Sequence, residues 1–159
     1  TSNAKETSCL KLLLAKNPEL NARNKSHGWT ALCVAARNSS EAVKLLLDAG
    51  ADPNLECAAG THSNSEKRCG ATALFFASEQ GDDSAVKHLL ESGKVLNVDA
   101  PRPFDGFTPL IVASKEGHHQ VVKLLLGHGA DHTITDTAGN TALKVAKDAG
   151  HVAVIALLQ

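Results

Sequence analysis

Asp105-Gly106-Phe107-Thr108-Pro109-Leu110 opens a phrase that runs on through Gly117-His118 and Val121-Val122-Lys123-Leu124-Leu125-Leu126 and closes on Gly129-Ala130-Asp131. Its parts recur along the chain. Thr108 and Thr141, in Gly-Phe-Thr-Pro-Leu and Gly-Asn-Thr-Ala-Leu, stand 33 residues apart, and Val122 and Ile155 keep that interval on the run that follows. Upstream, Gly-Trp-Thr-Ala-Leu around Thr30 precedes Val43-Lys44-Leu45-Leu46-Leu47, and Leu12 lies 33 residues before Leu45. Gly-Ala-Thr-Ala-Leu around Thr72 supplies one more copy, 42 residues after Thr30, so an insertion separates those two. A repeat of this period selects stacked units, none of which can bury its apolar face alone, and whose work is binding rather than chemistry.

Within each unit the threonine hydroxyl is suited to cap free backbone N–H groups, and Pro109 fits the first helical position. Leu110 and Ala113, like Leu143 and Ala146, are three apart and share one side of a short helix. Gly81, Gly117 and Gly150 then serve as turn residues leading into a second helix. That helix carries the larger aliphatics and ends near Gly50, Gly93 or Gly129. Each unit is therefore expected to be an antiparallel helix pair with a connecting loop.

Thr-Pro-Leu, Gly-His, Val-Val-x-Leu-Leu-Leu and Gly-Ala-Asp together resemble the ankyrin repeat over nearly the whole chain. The resemblance implies an all-α solenoid of stacked antiparallel helix pairs with projecting β-hairpin or loop fingers. The expected division of a single domain, 1–159, is a partial repeat at 1–24, a repeat at 25–57, a repeat with a long finger insertion at 58–98, a repeat at 99–133 and a terminal repeat at 134–159. Two departures stand out. The histidine that follows Thr-Pro-Leu in the family is replaced by Cys33, Phe75, Ile111 and Lys144, which puts its hydrogen bonds between neighbouring repeats in doubt. The Gly-His turn is shortened and replaced near Ser39-Ser40.

At 43% hydrophobic content the chain can form a substantial core, and its net charge of −1 supplies no general drive toward nucleic acid or anionic membranes. Apolar runs are interrupted within a few residues, so neither a membrane span nor a signal peptide is read. The four cysteines show no close paired spacing, which favours reduced thiols and a cytoplasmic or nuclear setting. With no methionine and an opening inside a repeat, the sequence reads as a piece of a longer chain. Ser2-Asn3-Ala4 reads either as an expression-tag remnant or as the in-register start of the truncated unit. Val145, Val152 and Ile155 in the last unit are expected to have been covered by more repeats or another domain.

In the family, partners dock along the fingers and the first helices, which line a concave groove. Carried over by motif, Trp29 and Phe107 stand beside the Gly-x-Thr motif. His27, Arg68, Phe104 and Asp105 belong to finger tips, and Arg37, Asn38, Glu79, Gln80, Lys115 and Glu116 follow the small residues of the first helices. Aromatics are only 3% of the chain, so Trp29, Phe104 and Phe107 at finger-side sites are the expected anchors, against the alternative that Trp29 merely packs on its neighbour. Phe75 and Phe76 fall inside a helix, and at least one of them is expected in the core. Asn54, beyond the Leu-Leu-Leu run, resembles asparagines that an asparaginyl hydroxylase modifies in such repeats.

The inserted finger, residues 55–70, is polar and rich in small residues, as expected of a solvated loop or a partner-specific protrusion. A second extension at residues 94–103 is stiffened by its prolines. Cys57 and Cys69 flank the long finger, and a disulfide across it or a zinc site with His62 are alternatives to reduced thiols. His118, His119, His128 and His132 read as surface histidines, so no metal and no cofactor is expected. No phosphate loop, hydrolase elbow or metal signature supports an enzyme. The expectation is a non-catalytic, monomeric module that binds a protein or peptide. The alternative is a structural or regulatory segment of a longer array with no partner on this stretch.

Overall fold

The computed structural model describes residues 12, 14, 19–24, 28–57 and 70–159. His27, Arg68, His62, Cys9 and Cys69 lie outside the described residues, and so does the body of the inserted finger. Among the described residues four complete helix pairs follow one another: α1 (Ala31–Asn38) with α2 (Ser40–Asp48), α3 (Ala73–Gln80) with α4 (Asp83–Glu91), α5 (Pro109–Glu116) with α6 (His119–Gly127), and α7 (Ala142–Ala149) with α8 (Val152–Leu158). The first helices stack in one row, α1 on α3 on α5 on α7, and the second helices in another, α2 on α4 on α6 on α8. This is the all-α repeat solenoid expected from the sequence. Among the described residues, β pairing is confined to two isolated antiparallel bridges, Arg23 with Thr30 and Thr135 with Thr141, at the bases of fingers.

The periodic threonines start the first helices. Thr30, Thr72, Thr108 and Thr141 sit at N-caps in extended backbone, and each hydroxyl accepts the N–H three residues on, from Cys33, Phe75, Ile111 and Lys144. Gly81, Gly117 and Gly150 end α3, α5 and α7 at φ of 70°, 80° and 76°. At Gly81 and Gly117 the need for glycine is double. A Cβ there would stand 2.5 and 2.7 Å from the rings of His118 and His151, each reaching back from the next unit. Those rings donate from Nε2 to the carbonyls of Glu79 (3.2 Å) and Lys115 (2.9 Å), so the Gly-His turn braces one unit against the one before. The first complete unit lacks the motif, and there Ser39 ends α1 and caps α2 by accepting the Ala42 N–H.

The core lies between units as much as within them. Leu74, Leu110, Val86, Val122, Leu89 and Leu125 are all at most 1% exposed, and each such side chain contributes about 1.5–3 kcal/mol through burial. Phe75 and Phe76 are both fully buried. At the departed histidine position, Cys33 keeps a weak link to the neighbouring finger by donating from Sγ to the Leu55 carbonyl at 3.8 Å. Burial pushes the Cys33 thiol upward against its hydrogen bond to Thr30, which leaves it an inert structural group. Cys57 is also buried.

Candidate interaction face

The face where the first-helix row meets the fingers is held by a continuous row of aromatics and cations. Trp29 and Phe107 occupy the same register, one residue before a capping threonine, and both are half-buried. Trp29 stacks on Phe76 of α3 with ring centroids 5.0 Å apart and planes at 29°, and Phe76 meets Phe75 edge-on at 6.0 Å. The Arg37 guanidinium lies 5.1 Å from the Trp29 ring and 5.9 Å from Phe76. Arg102 covers Phe75 at 4.6 Å and Phe107 at 5.8 Å, and the Lys115 ammonium sits 5.2 Å over Phe107. Each such cation–ring contact is worth about 0.5–2 kcal/mol, depending on how dry it is. The row passes unbroken through three successive units, and its rings rest on other side chains of the chain instead of standing bare.

Arg102 joins the pieces. Its Nε donates to Asp105 Oδ1 at 3.0 Å, its Nη2 pairs with Asp105 Oδ2, and its Nη1 lies 3.8 Å from Glu79 Oε1. Asp105 also receives the Phe107 N–H at 3.2 Å, which sets the aromatic's backbone. The Asp105 carbonyl accepts from the next finger, from Thr137 N at 2.9 Å and Thr137 Oγ1 at 3.0 Å. One finger is thus tied back to α3 and forward to its neighbour. It also touches the base of the inserted finger, because a Cβ on Gly70 would fall 2.4 Å from Pro103 Cδ.

Of the residues singled out in the sequence, Trp29, Arg37, Glu79, Asp105, Phe107 and Lys115 are brought together in this row. Asn38, Gln80 and Glu116 are exposed at its rim, and Asn38 Nδ2 donates to the Val34 carbonyl at 2.7 Å. Phe104, at a finger tip, is 56% exposed. Arg102 and Phe76 were not foreseen as site residues. Arg102 carried a signal in its spacing, an arginine three residues before Asp105 and flanked by Pro101 and Pro103. Phe76 carried none beyond its apolarity.

A second set of contacts spaces the fingers. Asn21 Oδ1 accepts the Asp52 N–H at 3.0 Å. Asn54 donates from Nδ2 to the Lys94 carbonyl at 2.8 Å and accepts the Leu96 N–H at 2.8 Å, so its amide is engaged at both ends. Between the last two fingers a carboxylate takes this role, Asp99 accepting the Asp131 N–H at 3.1 Å. Burial, and then the charge of Asp131, push the Asp99 carboxyl above the usual carboxylate range, against the N–H bond that lowers it. A carboxyl raised in the fold stabilises below its unfolded value, and that contribution disappears as pH rises through the folded value. Asp99→Asn should therefore raise the unfolding free energy near pH 7 by about 0.2–1 kcal/mol, with the gain fading as pH falls through the carboxylate range. Urea titrations at the two ends of that range check it, and a gain larger in acid would refute the account.

Among the described residues no group of three or more histidines, cysteines or acids could hold a metal ion, and no helix is long and apolar enough to cross a membrane. The face offers rings, cations, amides and carboxylates.

The sequence model described as ankyrin repeats (3 copies) matches residues 2–57, 55–136 and 74–159. Neurogenic locus notch homolog protein 2 of Homo sapiens is 35% identical over 147 residues, which cover 92% of this chain and 6% of that protein. E3 ubiquitin-protein ligase KEG of Arabidopsis thaliana is 34% identical over 127 residues, 76% of this chain and 7% of the ligase. Probable E3 ubiquitin-protein ligase XBOS34 of Oryza sativa subsp. japonica is 40% identical over 91 residues, 57% of this chain and 18% of the ligase. The chain spans only a small part of the length of these relatives, so the similarity carries none of their whole-protein activities.

Proposed function

Because the chain belongs to the ankyrin-repeat family, we propose that it is a non-catalytic protein-interaction module, acting as a monomer and gripping a partner protein or peptide through the groove between its first helices and fingers. Ankyrin repeats mediate protein–protein contact in general, and the observation that supports this face in particular is the aromatic–cation row from Trp29 to Lys115. Rings already seated on their own chain are preorganised, so a partner covering them immobilises little further. The exposed rim of Asn38, Gln80 and Glu116 supplies the polar border found around such contact centres. Neither nucleic acid nor membrane is assigned as a partner, since the net charge of −1 favours neither.

The test is affinity capture with the unaltered chain beside Trp29→Ala/Phe107→Ala, followed by titration of each identified partner. Binding should weaken at least about a hundredfold, a hot-spot-sized loss, while helical circular dichroism keeps its native form. Undiminished affinity in the double variant would move the contact off this face, and capture of no partner would move the function to the second reading, a spacing segment of a larger protein, which the small share of each relative that the chain covers also favours. Asn54 is proposed as a hydroxylation site between two fingers. Its two-ended hydrogen bonding means that the fingers must part for an asparaginyl hydroxylase to reach it, and intact mass showing no added oxygen after coexpression would remove it.

A further inference from the structure

The outward face of the last helix pair differs from every other outward face in the stack. At the third position after the capping threonine, the earlier units hold Cys33, Phe75 and Ile111, all at most 1% exposed, because the following unit covers them. The last unit holds Lys144, which is exposed. Three residues further on, Ala36, Ser78 and Ser114 are 0% exposed, and the last unit holds an exposed Lys147. Lys144 Nζ is paired with Asp148 Oδ1 at 2.6 Å on the same exposed surface.

One exposed apolar group on this pair does not mark a missing neighbour. Val152 is 77% exposed, but its counterparts His119 and Asp83 are exposed in covered units as well, so that position faces water throughout the stack. The positions that lose cover are Leu143 and Ile155, half-buried where Leu110 and Val122 are fully buried, and Leu157, 39% exposed where Leu124 is half-buried. They are the apolar part of a face that also carries two ammonium groups.

We propose that Lys144 and Lys147 make α7 and α8 the capping pair of the array, a face turned to water that does not accept another helix pair in the register of the preceding ones. Stacking a unit there would strip water from both ammonium groups and from the Lys144–Asp148 pair, and a buried charge without full pairing costs more than the surrounding apolar contacts return. Lysine is almost never fully buried, and terminal repeats with a polar outer side are what keep a solenoid from continuing.

A tandem copy of residues 126–158 joined in register after Leu158 tests this directly. The added unit would present the inward face that already packs on α5 and α6, so only the outward face beneath it is new. In the unaltered sequence the added helices should exchange their amide hydrogens at least about a hundredfold faster than α7 and α8, and leave the main unfolding transition unchanged. With Lys144→Ile and Lys147→Ser in the first copy, the added amides should become protected to the level of α7 and the whole chain should unfold in one later transition. Protection of the added unit without these substitutions overturns the proposal, and so does failure of the substitutions to rescue it.

Discussion

Phe76→Ala is expected to lower the unfolding free energy by about 3–5 kcal/mol, the range for emptying a buried aromatic site that cannot collapse. The site is rigid on all sides: Phe76 is 0% exposed, carries the Trp29 ring at 5.0 Å, meets Phe75 edge-on and lies under Arg37. Trp29 is the only tryptophan, so its emission reports the change directly. In native buffer the variant's emission should shift to the red as water reaches the indole face, before any denaturant is added. Trp29→Ala removes a half-buried ring whose counterpart stays packed, and should cost markedly less. A loss below about 1 kcal/mol for Phe76→Ala, with the native emission unchanged, would mean that the row does not bear on the stack in the way its geometry implies.

This asymmetry also explains what the sequence could and could not disclose. The threonine caps, the left-handed glycines and the leucine-rich second helices are local devices, each determined within a few residues, and all of them were legible at Thr108, Gly117 and Val121–Leu126. The Gly-His brace was legible where the motif is whole, at His118 and His151. Its replacement by Ser39 could be seen as a gap but not as a residue that ends one helix and starts the next. The candidate face was half legible. Register alone placed Trp29 and Phe107 beside the capping threonines and Arg37, Glu79 and Lys115 at the ends of the first helices. Register could not show that Trp29 rests on a phenylalanine 47 residues on, or that Arg102 reaches both Asp105 within its finger and Glu79 in the preceding unit. Those contacts depend on how far one unit's finger leans on the next unit, and a lean of that kind is set by packing between units that no single repeat encodes.

Arg102→Ala puts that lean to the test. The Arg102 side chain is 13% exposed, and those of Asp105 and Glu79 are 21% and 22% exposed. Removing the guanidinium leaves two half-buried carboxylates facing each other without their cation, and strips the cover from Phe75 and Phe107. Breaking a buried pair from one side costs about 3–5 kcal/mol, and the partial exposure here brings the expectation to about 2–3 kcal/mol. Arg102→Lys keeps the charge but loses the fork on Asp105 and the flat stack on Phe75, so it should recover less than half of the loss. The damage should be local as well as global. With Asp105 released, its carbonyl no longer holds Thr137, and the Thr137 amide should exchange at least about tenfold faster while the amides of α7 and α8 change only with global stability. A lysine variant as stable as the parent would show that charge alone matters at this position. An alanine variant within about 0.5 kcal/mol of the parent would show that the fingers are held by their backbones, with the arginine lying idle between them.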